Sequence, residues 1–207
     1  MSDWEKYKIS DLPTGKSGNW TIERFEISQK DADFGNLRAS FSFSNRGSYL
    51  VPGQYTRLMR GGKIIMSDTY DEIKDHLPAI RMSKGNCLIG GMGLGVVTNA
   101  CLQKPEVEHV TVIEFSEDVI QLVGEHYAKK FGDKLTIVNA DIMTWKPPKG
   151  FCYDMAWFDI WDDICEDNLP SMSKLKRRFA RNSEWKGCWK ERAIKGYRNR
   201  RSNWGGW

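Results

Sequence analysis

Asn86-Cys87-Leu88-Ile89 runs directly into Gly90-Gly91-Met92-Gly93-Leu94-Gly95. A short apolar run that breaks into glycines reads as a strand ending in a tight turn. Glycine has no Cβ and tolerates positive φ, so backbone there can approach a ligand. Working outward, Val96 to Leu102 reads as a helix, and His109-Val110-Thr111-Val112-Ile113 is a β-branched strand ending at Glu114. Ser116 to Tyr127 places Val119, Ile120, Val123 and Tyr127 on one side of a helix. Leu135-Thr136-Ile137-Val138 is a third strand, and Tyr153 to Phe158 a fourth, ending at Asp159. Strands alternating with helices predict a Rossmann-like α/β fold with a parallel sheet. Ligands of such sheets sit beyond the carboxyl ends of the strands.

Acids stand at those ends. Glu114 follows Gly95 by 19 residues and is placed to accept both ribose hydroxyls of an adenosine group. Asp141 follows the third strand, where a carboxylate can accept from an adenine amino group. A dinucleotide fold needs G-x-G-x-x-G, and its last glycine would fall at Val96. The observed spacing is G-x-G-x-G, which resembles the loop of S-adenosylmethionine-dependent methyltransferases. Gly90, Gly91, Gly93, Gly95, Glu114 and Asp141 are the expected cofactor-binding set.

Residues 85 to 163 resemble the catalytic core of class I methyltransferase-fold proteins, nearest to spermidine synthases. Lys104-Pro105-Glu106-Val107-Glu108-His109-Val110-Thr111-Val112-Ile113-Glu114 is similar to their H-P-x-V-x-x-V-x-x-x-E segment. Ser116-Glu117-Asp118-Val119-Ile120 resembles their D-x-x-V-I helix start, Asp159-Ile160-Trp161-Asp162 their D-S-S-D turn, and Asp71-Glu72 their amino-proximal D-E pair. The resemblance implies S-adenosylmethionine as cofactor, a small β-rich lobe ahead of the α/β core, Asp159 as the group that deprotonates an acceptor amine, and Asp162 as its helper.

Departures from that family are equally specific. The acid that its loop uses to hold the amino group of decarboxylated S-adenosylmethionine is matched by Gly93. The tyrosine three residues after D-E is replaced by Asp75, and Asp163-Ile164-Cys165-Glu166 stands where Pro-x-Gly-Pro follows the turn. No clear apolar strand follows Asp159, so the sheet is expected to be truncated after the fourth strand. The whole resembles small methyltransferase-like proteins, some from phage. A methyltransferase of unknown acceptor is the leading expectation. Polyamine aminopropyl transfer, or a non-catalytic S-adenosylmethionine- or nucleic-acid-binding protein, are the alternatives.

Methyl transfer requires mainly alignment, with a base where the acceptor arrives protonated. Asp162 and Asp163 crowd Asp159, and neighbouring carboxylates raise one another's pKa. Asp162 and Asp163 are also suited to cap a helix from Ile164. Trp161 is placed to stack on a flat ligand, while core packing suits Trp157 better. Pro13-Thr14-Gly15-Lys16-Ser17 ends like a phosphate-binding loop but lacks its first glycine and the strand that should precede it.

The chain has 207 residues, 40% hydrophobic and 28% charged, an ordinary globular mix. No apolar run approaches a membrane span, and MSDWEKYKIS lacks the apolar stretch of a signal peptide, so the expectation is a cytoplasmic protein without membrane contact. Five cysteines form no Cys-x-x-Cys and three histidines are scattered, which predicts neither a disulfide framework nor a metal site. From Lys174 to Arg201 there are 12 Lys or Arg against 2 acids, leaving 19 basic and 25 acidic residues elsewhere. This basic, aromatic tail predicts contact with nucleic acid, or a helix pair packed on the core, since Trp185 and Trp189 share a helix face. The expected organisation is a flexible leader over 1–19, a small β-rich region with a linking helix over 20–80, an α/β core over 81–170 and the tail over 171–207. Within the β-rich region, Thr21 to Ile27, Leu37 to Phe43 and Lys63 to Met66 read as strands, and Asp68 as the cap of a helix to about Ile80. A homodimer is a further expectation.

Overall fold

The computed structural model describes residues 4–41 and 49–204, with side chains described as far as 198. Five strands form an all-parallel sheet: β5 (Gly85–Gly90), β6 (Val107–Glu114), β7 (Leu135–Asn139), β8 (Tyr153–Phe158) and β9 (Ser183–Cys188), in the order β7-β6-β5-β8-β9. The glycine strand β5 is central, its Cys87 in register with Val110 on one side and Met155 on the other. Leu88 and Ile89 are buried on opposite faces of the sheet, in two separate apolar clusters. Each such side chain withdrawn from water contributes about 1.5–3 kcal/mol.

A second sheet precedes the first. β1 (Gly15–Ser17), β2 (Trp20–Ile27), β3 (Gly53–Arg60) and β4 (Lys63–Ser67) run antiparallel in that order. The helix α2 (Tyr70–Met82) connects it to β5 and runs through Pro78. Asp68 does not cap α2. Its carboxylate is buried and accepts the Ile9 and Thr56 N–H groups at 2.7 and 2.6 Å, tying the amino-terminal segment to β3. That segment is no flexible leader where it is described, because Trp4, Ile9 and Leu12 lie in the core.

Three further expectations are corrected. Leu37 to Phe41 belongs to the helix α1 (Gln29–Phe41), not to a strand; Ser42 and Phe43 lie outside the described residues. The Ser28 hydroxyl accepts the Asp31 N–H, a helix start that overrides the alternating pattern. The sheet does not stop at its fourth strand, because β9 adds a fifth along β8. Trp185 therefore lies on a strand, not on a helix face with Trp189, and its ring stacks on Trp157 at 6.3 Å. The remainder of the tail forms α6 (Leu169–Arg178) and α7 (Glu191–Trp204). Several of its cations are used internally: Lys176 and Lys195 pair with Glu191, and Arg178 donates to the carbonyls of Ile142, Met143 and Trp145.

After β5 the chain forms α3 (Val96–Leu102). After β6 it forms α4 (Glu117–Val119), a wide π turn (Ile120–Gly124) and α5 (Glu125–Phe131). All five cysteines are free. Among the described residues no helix is long and apolar enough to cross a membrane.

Candidate functional site

A cavity of about 390 Å³ opens at the carboxyl ends of β5, β6, β7 and β8. Its floor is the glycine loop and the strand ends. Its roof is the β3–β4 hairpin, which contributes Leu58, Arg60, Ile65 and Met66. Gly91, Gly93, Glu114, Asp141, Asp159 and Asp162 all line it, brought together from four separate strand ends. Gly90 and Gly95 do not. Gly90 ends β5 against Ile142 and Phe158, and Gly95 caps α3 beneath the Tyr127 ring.

Two of the glycines are required by their surroundings. Gly91 has φ 90°, and a Cβ there would run into the Asp159 carbonyl oxygen. Gly93 has φ 53°, and its Cβ would displace the Met66 sulfur, which accepts the Leu94 N–H at 3.3 Å. A thioether thus covers the loop at the position where the resemblance would place an acid.

Glu114 is 9% exposed and holds the loop in shape. Its Oε2 accepts the Met92 N–H and its Oε1 the Ser116 N–H, both at 2.8 Å. A carboxylate oxygen has a second lone pair, so each retains one acceptor position. Asp141 Oδ1 accepts the Met143 N–H at 2.7 Å. Phe115, next to Glu114, is 78% exposed on the cavity rim.

Asp159 begins where β8 ends, and its N–H donates to the Gly90 carbonyl at 2.8 Å. Burial, together with the negative charges of Glu72 and Asp75, holds its carboxyl well above the usual carboxylate range. His76, fully buried behind it, has Nε2 at 3.7 Å from Asp159 Oδ2, and burial with the nearby Lys190 charge pushes its imidazole down to about 4. Glu72 shares the cavity wall and is pushed up to about 7, by burial first and then by Asp75. Asp75 is held by Lys190, a residue in left-handed backbone at φ 55°.

Asp162 and Asp163 do not cap a helix, since α6 begins only at Leu169. Asp162 pairs with Arg60 and Asp163 with Lys63, the latter at 2.9 Å, so both acids bind the roof to the floor. Arg60 also lies over the Trp20 ring, 5.3 Å from its centroid. Trp161 lines the cavity and donates to Ser171 Oγ at 2.9 Å, while Trp157 is buried in the core. Gly15-Lys16-Ser17 is the edge strand β1, with the Ser17 hydroxyl on Asp118 and Gln121, and forms no phosphate loop.

Sequence reading missed the roof residues, Phe115 and Trp189. Only Asp71-Glu72, singled out through the resemblance, pointed toward Glu72. Among the described residues, five carboxylates line the cavity against one cation, Arg60, which is already paired. Among the described residues no group of three or more His, Cys, Asp or Glu is placed to hold a metal ion.

No family model matches the chain, and no curated protein matches it. Several hundred chains of solved structures do. The N-methyltransferase NodS from Bradyrhizobium japonicum is 15% identical, over 53% of this chain and 61% of that one, with a TM-score of 0.41. An S-adenosylmethionine-dependent methyltransferase from Clostridium acetobutylicum is 13% identical, over 54% of this chain and 43% of that one, with a TM-score of 0.38. Coclaurine N-methyltransferase, bound to N-methylheliamine and SAH, is 19% identical, over 55% of this chain and 34% of that one, with a TM-score of 0.40. The chain thus spans 34–61% of the length of these three proteins.

Proposed function

We propose that this chain binds S-adenosylmethionine over the glycine loop and transfers its methyl group to an amine-bearing acceptor. The convergence of Gly91, Gly93, Glu114, Asp141, Asp159 and Asp162 on one cavity carries the reading.

The residues present fit the cofactor. Gly91 and Gly93 line the cavity with backbone that carries no side chain. The remaining acceptor positions of Glu114 suit the two ribose hydroxyls. Asp141 suits the adenine amino group, and the exposed Phe115 ring offers a purine an apolar face. When bound, S-adenosylmethionine supplies an electrophilic methyl carbon on a sulfonium sulfur.

The chain's own task is to orient the acceptor and move one proton. An amine arrives as its ammonium, which has no lone pair to attack with. Glu72 and Asp159 are acids that no lining cation among the described residues neutralises, since Arg60 is committed to Asp162 and Lys190 to Asp75, and an arriving ammonium brings the positive charge that favours their ionised forms. The ammonium settles between them. Asp159 then takes its proton at a carboxylate oxygen, which leaves the nitrogen lone pair free. The raised proton affinity of Asp159 suits that step. The thioether of Met66 over Gly93, where an aminopropyl-transferring relative would present an acid, supports methyl over aminopropyl transfer.

Calorimetric titration with S-adenosylmethionine, its decarboxylated form, S-adenosylhomocysteine and methylthioadenosine tests the reading. Preference for the first and third is expected. Preference for the decarboxylated donor would turn the reading to aminopropyl transfer, and binding of none would end it.

A further inference from the structure

α1 is packed inside out. Ala32, Gly35, Asn36 and Ala39 form the side turned to the protein: Ala32 is buried, Gly35 lies against the Leu50 side chain, and Asn36 exchanges two hydrogen bonds with the Leu50 backbone at 2.8 and 2.9 Å. Phe34, Leu37 and Phe41 stand on the opposite side, 68, 58 and 80% exposed. At 100° per residue these three side chains fall within about 60° of one another. A helix that gives its small residues to its own core and its large apolar residues to water leaves its binding face outward.

The charges on α1 say what that face fits. Lys30, Asp31, Asp33 and Arg38 sum to zero, so two copies of the helix do not repel. Asp31 and Arg38 are seven residues apart, hence on the same flank of the apolar stripe. In an antiparallel pair related by a twofold axis, same-flank residues meet, and each Asp31 lies within a turn of the other helix's Arg38. The same symmetry sets Phe34 against Leu37 of the second copy and lays the Lys30 stem along the second Phe41.

We propose that the chain self-associates as a twofold dimer through α1, with Phe34, Leu37 and Phe41 as the apolar seam and Asp31–Arg38 pairs on its flank. The occupant of the face is a second copy of this chain. The contact is one helix of 13 residues from each side, roughly 20 Å long. That is smaller than a standard protein interface, so the dimer is a weak one. The proposal is independent of the cavity and of what the cavity binds.

Sedimentation equilibrium of the full chain across roughly 10–200 µM, the range of weak association, tests it. The mass is expected to rise from 23.9 kDa toward twice that value. Phe34→Asp combined with Phe41→Asp should hold it at 23.9 kDa at every concentration. Both side chains are exposed, so circular dichroism and thermal unfolding should stay unchanged. Arg38→Asp alone should weaken association by about tenfold, and adding Asp31→Arg should restore it. A mass fixed at the monomer value throughout would overturn the proposal. So would a dimer indifferent to the double Phe substitution, or a charge swap that fails to restore what Arg38→Asp removes.

Discussion

Replacing Glu72 with glutamine should stabilise the protein strongly at alkaline pH and much less at acid pH. In the unfolded chain Glu72 titrates near its ordinary 4.5, and in the fold near 7. Between those values the unfolded chain releases the proton while the folded protein keeps it. Stability therefore falls as pH rises through that window and levels off above it. Each pH unit between the two values corresponds to about 1.4 kcal/mol, so ionised Glu72 costs the fold about 3 kcal/mol at pH 8. At pH 5 the same reckoning leaves less than about 1 kcal/mol. For a chain of this size about 1 kcal/mol moves Tm by roughly 2–4 °C. Glu72→Gln should then raise Tm by about 6–12 °C at pH 8 and by about 2–3 °C at pH 5. Thermal unfolding followed by circular dichroism at both pH values gives the comparison. A gain of the same size at both would show that Glu72 is an ordinary surface carboxylate, and the reasoning about a charge-starved cavity wall would fall with it. An organic ammonium that binds beside Glu72 should narrow the gap between wild type and variant at pH 8.

Glu114→Ala should weaken S-adenosylmethionine binding by about 10- to 150-fold, the worth of a charge-assisted hydrogen bond of about 1.5–3 kcal/mol, as read by calorimetry. Asp159→Asn should lower methyl transfer to an amine acceptor by about 10²- to 10⁴-fold while leaving cofactor affinity within about threefold. Equal losses in both would assign Asp159 to cofactor binding. Leu88→Ala, at a fully buried site in the central strand, should lower unfolding stability by about 2–5 kcal/mol in a denaturant titration.

The floor of the candidate site was legible because a buried parallel strand writes itself as a run of apolar residues and an acid falls at or just past the end of that run. Glu114, Asp141 and Asp159 were all readable in this way. β9 was not, because an edge strand with one neighbour needs no β-branched run. Ser-Glu-Trp-Lys-Gly-Cys holds its place by pairing along β8 and by stacking Trp185 on Trp157. The roof was invisible for a different reason. Arg60 and Met66 belong to the other sheet, and no local pattern announces that a hairpin will fold across a glycine loop nearly thirty residues downstream of Met66. Asp162 was found, but its partner was not, so a residue read as a helper to catalysis lies in an ion pair. α1 misled because Leu37, Ala39 and Phe41 alternate like a strand. One Ser28 hydroxyl at the helix start, together with the small residues facing inward, decides otherwise.

The floor and the roof are joined by unlike forces. Beneath the cavity the strands are welded by buried hydrocarbon and backbone hydrogen bonds, which salt scarcely touches. At the tip of the hairpin the attachment is two ion pairs among partly exposed side chains, Arg60 with Asp162 and Lys63 with Asp163. Such pairs are worth little singly and are screened within about 10 Å at 0.1 M salt. Ionic strength therefore loosens one wall of the cavity and leaves the other rigid. Molecules should exchange with the interior faster as salt is added, while the surface that recognises them keeps its shape.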